Sequence, residues 1–169
     1  MPERSGAPPG QRTLMGFDHG SRKIGVAIGQ EITASARPLT ILPNRNQRPD
    51  WNAITRLIAQ WRPDRLVVGL PYHLDGAESA QTRQAARFAR QLQGRTGLPI
   101  ETMDERLSSE AARDAFAELH RTGARKRHRQ TDIDDLAAAL ILEHWLQERR
   151  EEGVALGRNE PQMSADTRR

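Results

Sequence analysis

The stretch LMGFDHGSRKIGVAIGQ, from Leu14 to Gln30, places one carboxylate between two apolar runs. Each run alternates with a period of two, which is typical of β-strands, and the residues HGSR link them. The stretch therefore predicts an antiparallel hairpin, with Asp18 near the end of its first strand on the face it shares with Gly16. Because burying an unpaired charge is costly, Asp18 is a cap of the turn, a partner of Arg22 or Lys23, or a ligand.

Length and composition exclude several classes of protein. The chain has 169 residues, which suits one domain with a proper core, and it has no cysteine, which excludes disulfides and thiolate metal sites. No apolar run approaches the roughly 20 residues of a membrane span, and the first residues are too polar for a signal peptide, so we expect a cytoplasmic protein. The net charge of +4, carried almost wholly by arginine, fits nucleic-acid binding and equally a coding bias of the genome.

Apolar periodicity divides the chain into a domain and two tails. Pro, Gly and charged residues without periodicity predict disorder at residues 1–11 and 151–169, which leaves a folded domain at 12–150. After the hairpin, the pattern predicts a strand at 34–42, a helix at 51–61, a strand at 64–71, a helix at 77–97, a strand at 98–106, and helices at 108–120 and 131–150. Between them it predicts a loop at 44–50 and a turn at 73–76. This order predicts an α/β fold in which a five-stranded mixed sheet, with its first three strands antiparallel, is flanked by helices.

Carboxylates recur where three separate predicted elements begin or end. Asp18 ends the first strand, Asp104 and Glu105 end the fifth, and Asp134 opens the last helix on its apolar side. In a mixed sheet whose first and fifth strands run near each other, inward acids from these ends can converge. Clustered carboxylates without cysteine favour Mg²⁺ or Mn²⁺. Two such ions about 4 Å apart would activate a water and stabilise the leaving oxygen of a phosphodiester.

Not every acid of this group predicts a ligand. Asp132 and Asp135 are explained by the favourable charge of Asp at a helix N-terminus. Asp104 and Glu105 are equally explained by an ion pair with Arg106 and by capping of the next helix. Because neighbours on a strand face opposite ways, only one of the two can face the site. The longer reach of glutamate favours Glu105 as the ligand, with Asp104 pairing with Arg106 or capping the helix and so supporting it.

Basic residues lie beside both ends of the acid set. Arg22 and Lys23 follow Asp18 in the hairpin, and both are candidates for nucleic-acid binding. The loop before Asp134 holds further candidates, namely Arg125, Lys126, Arg127 and Arg129. Such a loop can clamp a phosphate backbone, although a solvated charged loop has the same composition. His128 in this loop is not counted as catalytic, because a lone loop histidine is usually exposed to solvent.

Five motifs in order resemble those of the YqgF/RuvX family: GFDHGSRKIGVAIG, ARPLTIL, RLVVGLPYHLDGAES, DERLSSEAA and DIDDLAAALILEHWL. This family comprises RNase H-like proteins proposed as Holliday junction resolvases and as nucleases for pre-16S rRNA. The resemblance covers residues 14–146. It implies an RNase H-like fold, a metal-dependent nuclease site, and an acidic set of Asp18, Glu105 or its neighbour Asp104, and Asp134. The strand RLVVGLP ends without the acid found in the better-known junction resolvases, so the resemblance moves the second carboxylate to the DER motif.

The sequence therefore predicts a hydrolase that cuts phosphodiester bonds in structured nucleic acid with Mg²⁺ or Mn²⁺. Its predicted task is to process the 5′ end of pre-16S rRNA in ribosome biogenesis, with pre-ribosomal particles as a further partner. Resolution of Holliday junctions in branched DNA is an alternative, and a non-catalytic nucleic-acid-binding or assembly role is another. The sequence leaves open whether the protein is a monomer or a homodimer. A kinase-like ATPase is disfavoured, because such folds need a second domain and a second Gly-rich phosphate loop.

Overall fold

The computed structural model describes residues 6–105 and 131–157, except for the side chains of residues 131–135, 151 and 153–157. Along the chain the elements are β1 (Thr13–His19), β2 (Lys23–Gln30), β3 (Ser35–Arg45), β4 (Arg48–Pro49), α1 (Trp51–Trp61), β5 (Arg65–Leu70), α2 (Ala80–Thr96), β6 (Ile100–Asp104) and α3 (Thr131–Gly157). None of the helices in these ranges has the length and apolar content that crossing a membrane requires.

The strands form one mixed sheet in the order β4-β3-β2-β1-β5-β6. β1 pairs antiparallel with β2, and β2 pairs antiparallel with β3, while β5 lies parallel to β1 and β6 parallel to β5. The predicted α/β architecture, with its first three strands antiparallel, is confirmed. Because β1, β5 and β6 run in one direction, their carboxyl ends meet at one edge of the sheet.

The sheet has six strands and not the predicted five. The additional strand, β4, pairs with the end of β3 through a turn at Asn46 and Gln47, whose φ angles are 52° and 56°. β4 contains only two residues, so no alternation of apolar side chains can reveal it. The segment 44–50, predicted as a loop, is therefore a short hairpin that leads into α1.

Helices α1 and α2 pack on one face of the sheet over an aromatic core. Asp50 caps α1 by accepting from the Ala53 amide at 3.1 Å, and a Ser79–Thr82 capping box begins α2. The ring of Phe88 on α2 lies with its centroid 5.6 Å from those of both Phe17 and Trp51. These rings fill the space between the sheet and helices α1 and α2.

Helix α3 packs on the other face, where small residues let it approach closely. A Cβ on Gly29 would lie 2.9 Å from Cδ2 of Leu142, and a Cβ on Gly16 would lie 3.2 Å from the carbonyl oxygen of Ala138. Ala27 and Ala138 are both fully buried in the contact between helix and sheet. The backbone of α3 therefore lies almost directly on β1 and β2.

Two segments near the predicted domain limits have definite structure. Asp64 accepts hydrogen bonds from the amides of Ala7 at 3.0 Å and Thr13 at 2.9 Å, and Glu31 accepts from the amide of Gly10 at 2.7 Å. At the other end, α3 continues beyond the predicted helix end at 150 to Gly157. The helix predicted at 108–120 lies outside the described residues.

Candidate active site

Asp18 is half-buried near the carboxyl end of β1, on the face that α3 covers. Its partner across β2 is Gly25, so no side chain crowds it from that strand. On the other side, the last registered pair between β1 and β5 is Phe17 with Val68. Gly69 is the next residue of β5 and therefore lies beside Asp18.

Glu105 follows β6 directly, and its carboxylate lies over Gly69. A Cβ on Gly69 would be 2.5 Å from Oε1 of Glu105 and 2.6 Å from Cδ1 of Ile141 on α3. The Oε1 atom is fully buried. The missing side chain of Gly69 thus makes room for the carboxylate, and Asp18 and Glu105 approach the same glycine from neighbouring strands.

Asp134 lies in the first turn of α3, and its side chain is outside the described part of the structure. The contacts of the following turns of α3 with the sheet give the direction of the helix. Leu142 and Leu146 lie over Gly29, which pairs with Leu14, and one turn earlier Ala138 lies over Gly16. α3 therefore runs antiparallel to β1, and its next turn toward the N-terminus, which contains Asp134, lies in the direction of Asp18.

The two acids of the DER motif are on opposite faces of the sheet. Met103 packs in the core beneath α3, so the neighbouring Asp104 faces the side of α1 and α2. Glu105 contacts Gly69 on the α3 side, the side of Asp18. Of the two, Glu105 is the one that the fold brings toward Asp18. Arg106, the predicted partner of Asp104, lies outside the described residues.

A complete metal-binding group is not present among the side chains that the structure describes, where no three His, Asp or Glu residues come together. The two described carboxylates that converge, those of Asp18 and Glu105, are hard oxygen donors of the kind that Mg²⁺ and Mn²⁺ prefer. This donor set fits a divalent cation once the third predicted acid, Asp134, is added.

The turn that follows Asp18 is held by a residue from β3. The amide of Gly20 donates to the carbonyl of Lys23 at 2.8 Å, and the Asn44 amide donates to the carbonyl of Arg22 at 2.8 Å. The side chain of Asn44 donates to the carbonyl of Gly20 at 2.7 Å. These contacts fix the turn, from which Arg22 and Lys23 are exposed to solvent.

His19 is a buried residue that the sequence pattern placed in the hairpin link. The residue is 8% exposed, its ring centroid lies 5.0 Å from that of Phe88, and its Nε2 lies 3.3 Å from Nδ2 of Asn44. Burial lowers the pKa of the imidazole, although a backbone hydrogen bond acts in the opposite direction. The neutral ring can accept from Asn44 at Nε2, whereas the protonated ring cannot. His19 lies two residues after Phe17 and therefore shares its face of the strand, and this spacing could have indicated that His19 is buried.

The loop after β5 is ordered by its own hydrogen bonds and carries an exposed apolar residue. Pro71 accepts from the hydroxyls of Ser79 and Thr82 through its carbonyl, which ties the end of β5 to the start of α2. At the loop tip, the Ala77 amide donates to Asp75 at 2.8 Å, and Leu74 is 96% exposed. The predicted turn is therefore a structured loop at the sheet edge where Asp18 lies.

The second predicted group of nucleic-acid-binding residues lies outside the described residues. It comprises Arg125, Lys126, Arg127 and Arg129.

Comparison with known proteins gives a family match and close relatives. A family model, RuvX, described as Holliday junction resolvase, matches residues 12–148. A protein of Azotobacter vinelandii named "Putative pre-16S rRNA nuclease" is 51% identical over 141 residues, which are 83% of this chain and 96% of the relative. Proteins with the same name are 48% identical in Pseudomonas paraeruginosa, over 81% of this chain and 93% of the relative, and 48% identical in Nitrosococcus oceani, over 84% and 91%.

Solved structures support the fold. Thermus thermophilus RuvC in complex with a Holliday junction substrate aligns with a TM-score of 0.53 at 17% identity, over 82% of this chain and 96% of that chain. A second Thermus thermophilus RuvC structure aligns with a TM-score of 0.51 at 16% identity, over the same shares. The RNase H-like fold that the motifs implied is confirmed.

Proposed function

This chain belongs to the RuvX family of Holliday junction resolvases, and from that membership we propose that it is a divalent-metal-dependent nuclease that processes the 5′ end of pre-16S rRNA. Nuclease chemistry is common to the family description and to the names of the relatives. The observation that carries the metal-dependent mechanism is the carboxylate of Glu105 over Gly69, beside Asp18.

Asp18, Glu105 and Asp134 would hold the cation. When bound there, divalent ions supply a Lewis acid and lower the pKa of a coordinated water. The protein supplies the position of the acids: Asp18 lies near the end of β1, a central strand of the sheet, and the carboxylate of Glu105 lies over Gly69. Such fixed carboxylates need no reorganisation when the substrate binds, which lowers the barrier to the chemical step.

The choice of pre-16S rRNA follows the names of the relatives at about 50% identity. Exposed Arg22 and Lys23 next to Asp18 would position phosphates, and Arg125, Lys126, Arg127 and Arg129 would clamp the strand from the predicted loop that precedes α3 in the sequence. Pre-ribosomal particles in the bacterial cytoplasm would then be its working partners. The family description favours one second candidate substrate, the Holliday junction of branched DNA.

Cleavage assays separate these candidates. Two labelled substrates, an RNA that spans the 5′ end of 16S rRNA and a synthetic four-way DNA junction, would each be incubated with Mg²⁺, with Mn²⁺ and with EDTA. We expect cleavage of the RNA at a discrete site with either metal and none with EDTA. Discrete cleavage of the junction alone would transfer the function to resolution.

Variants distinguish this activity from a contaminating nuclease. Asp18→Asn should abolish cleavage, whereas Glu148→Gln, which removes an exposed carboxylate of α3 that lies 3.8 Å from His144, should retain it. Cleavage by the Asp18→Asn variant at the rate of the parent protein would contradict the proposed site. Metal-dependent binding of both substrates without cleavage would support the non-catalytic alternative.

A further inference from the structure

Two arginines face each other at the tip of the β3–β4 hairpin. Arg45 and Arg48 are directly opposed in the strand register, and both are exposed. Like charges placed opposite each other destabilise a hairpin. The turn between them places Gln47 at a φ of 56°, a backbone conformation that side chains other than Gly and Asn rarely adopt. The tip is therefore unfavourable for stability on its own, and a bound anion would relieve the repulsion.

The arginine pair lies on the same face and at the same end of the sheet as Asp18. Asp18 pairs with Gly25, which is two residues from Lys23 on β2, so Lys23 shares the face of Asp18. Lys23 in turn pairs with Pro43, two residues before Arg45 on β3. Alternation along β3 then places Arg45 on that face, and the register carries Arg48 with it. A row of cations thus runs along the sheet edge from the strand next to Asp18 out to β4.

Few acids offset this row. Between residues 19 and 49 the single acid is Glu31. Glu31 accepts hydrogen bonds from the amides of Gly10 and Arg12 at the opposite end of the sheet. Among the side chains that the structure describes, no carboxylate forms an ion pair with Arg45 or Arg48. The segment from Pro43 to Pro49 thus carries the charges of Arg45 and Arg48 and no acid, and the next acid, Asp50, caps α1.

We propose that the β3–β4 hairpin is a clamp for the phosphate backbone of a nucleic-acid strand, which it holds where the strand leaves the candidate active site. The identity of the strand as a substrate rests on the proposed function. From β2 to β4 the row spans two strand spacings, about 10 Å. At a rise of about 3.4 Å per nucleotide, the clamp would engage about three nucleotides of one strand. Phosphates are the shared chemistry of RNA and DNA, so the clamp positions the strand without reading its sequence.

The test is equilibrium binding in EDTA, so that it needs neither metal nor cleavage. The probe is a fluorescent single-stranded RNA 20-mer, and its anisotropy is followed at several salt concentrations for the parent and the Arg45→Gln/Arg48→Gln variant. The matched control is Arg87→Gln/Arg90→Gln, which removes two exposed arginines from α2, a helix that packs on the opposite face. A second control, Arg45→Lys/Arg48→Lys, replaces the same two side chains but keeps their charges, so it separates the loss of charge from the effect of substitution in the hairpin.

We expect the Arg45→Gln/Arg48→Gln variant to bind more weakly. The decrease of log K with log salt should be less steep by about 1.4, since each lost contact on a single strand contributes about 0.7 to the magnitude of the slope. The control and the lysine variant should keep the parental slope. Without RNA, the glutamine variant should unfold at the same temperature as the parent or a higher one, because the repulsion is gone. An equal fall in slope for the α2 control would overturn the clamp in favour of general charge. An unchanged slope for the hairpin variant, or no binding by the parent, would also overturn it.

Discussion

The two faces of the sheet are built on different principles. On the side of α1 and α2, bulky rings fill the space, with Phe88 between Phe17 and Trp51. On the side of α3, the residues at the contact are glycine and alanine, which have no side chain or a short one, so the helix packs closely against the strands. Both candidate ligands with described side chains, Asp18 and Glu105, lie on the α3 side. The comparison indicates that the face of α1 and α2 stabilises the fold by burying apolar area. The face of α3 brings the helix backbone close to the sheet, where the acids can come together.

The strongest test of this division removes single carboxylates. We expect Glu105→Gln to lose metal-dependent cleavage almost completely, whereas Asp104→Asn, on the face of α1 and α2, should keep a measurable fraction. Removing an acid from a repulsive cluster relieves strain, so the thermal stability of Glu105→Gln without metal should equal or exceed that of the parent protein. Initial cleavage rates and thermal unfolding of both variants provide the measurement. If Asp104→Asn were the inactive variant, the site would not belong to the α3 face.

The next test fills the space under Glu105. Gly69→Ala would place a methyl group 2.5 Å from Oε1 of Glu105 and 2.6 Å from Ile141, so the carboxylate must move. We expect a large loss of metal-dependent cleavage, with a cost to stability of about 1–3 kcal/mol from overpacking. Gly94→Ala on α2 is the matched control: its new methyl group meets no atom within 4 Å. That change should stabilise the helix by about 0.5–1 kcal/mol and leave cleavage unaltered, and full activity of Gly69→Ala would refute the role of the close approach.

A third test removes bulk from the aromatic face. Phe88 is 1% exposed and contacts the rings of Phe17, His19 and Trp51. Phe88→Ala should lower the free energy of unfolding by about 3–5 kcal/mol, because it removes buried apolar area and leaves a cavity. Chemical denaturation measures that loss, and the cleavage rate per folded molecule should stay close to the parental value at a temperature where the variant is folded. Loss of both stability and specific activity would show that the two faces are not separable.

The smallest effect concerns the pH dependence of stability. Burial lowers the pKa of His19 below its ordinary value of 6.5, so the unfolded chain binds the proton more readily than the folded one. The stability from the neutral ring is therefore fully present above about pH 6.5 and is lost as the pH falls toward the lowered pKa. His19→Phe keeps a ring against Phe88 and should remove this component, whose slope is at most about 1.4 kcal/mol per pH unit. Denaturation curves of both proteins between pH 5 and 7.5 test it, and parallel pH profiles would exclude a role for His19.

Local patterns predicted most of the elements, because their causes lie close together in the chain. The helix Trp51–Trp61 was predicted with its observed limits, since its apolar spacing lies within it and Pro63 follows it closely. The alternation in β1 likewise placed Asp18 on the face of Gly16. Glu105 was favoured over Asp104 only for its reach. In the structure, its carboxylate lies over Gly69 on the α3 face, a contact that no local pattern contains.

Other features could not be predicted because they depend on contacts between distant residues. Asn44 holds the turn after Asp18 across 24 residues of sequence, and its segment was predicted to be a loop. Gly69 has no side chain, so its importance is visible only in what occupies the space above it. The opposition of Arg45 and Arg48 requires the register of a two-residue strand. Long-range pairing thus limits what a single sequence reveals about this site.

The position of α3 on β1 also has a consequence for the order in which the protein folds. Gly16 and Ala138, which meet in that contact, are separated by more than a hundred residues, so this contact closes a long loop. Contacts of such separation form slowly, and during synthesis they cannot form until α3 has left the ribosome. A nascent chain can assemble β1 to β6 while Asp134 is still missing from the acid set. At the proposed site, nuclease activity begins only after α3 has been synthesised and has packed on the sheet, so a nascent chain that lacks α3 cannot cut the RNA around it.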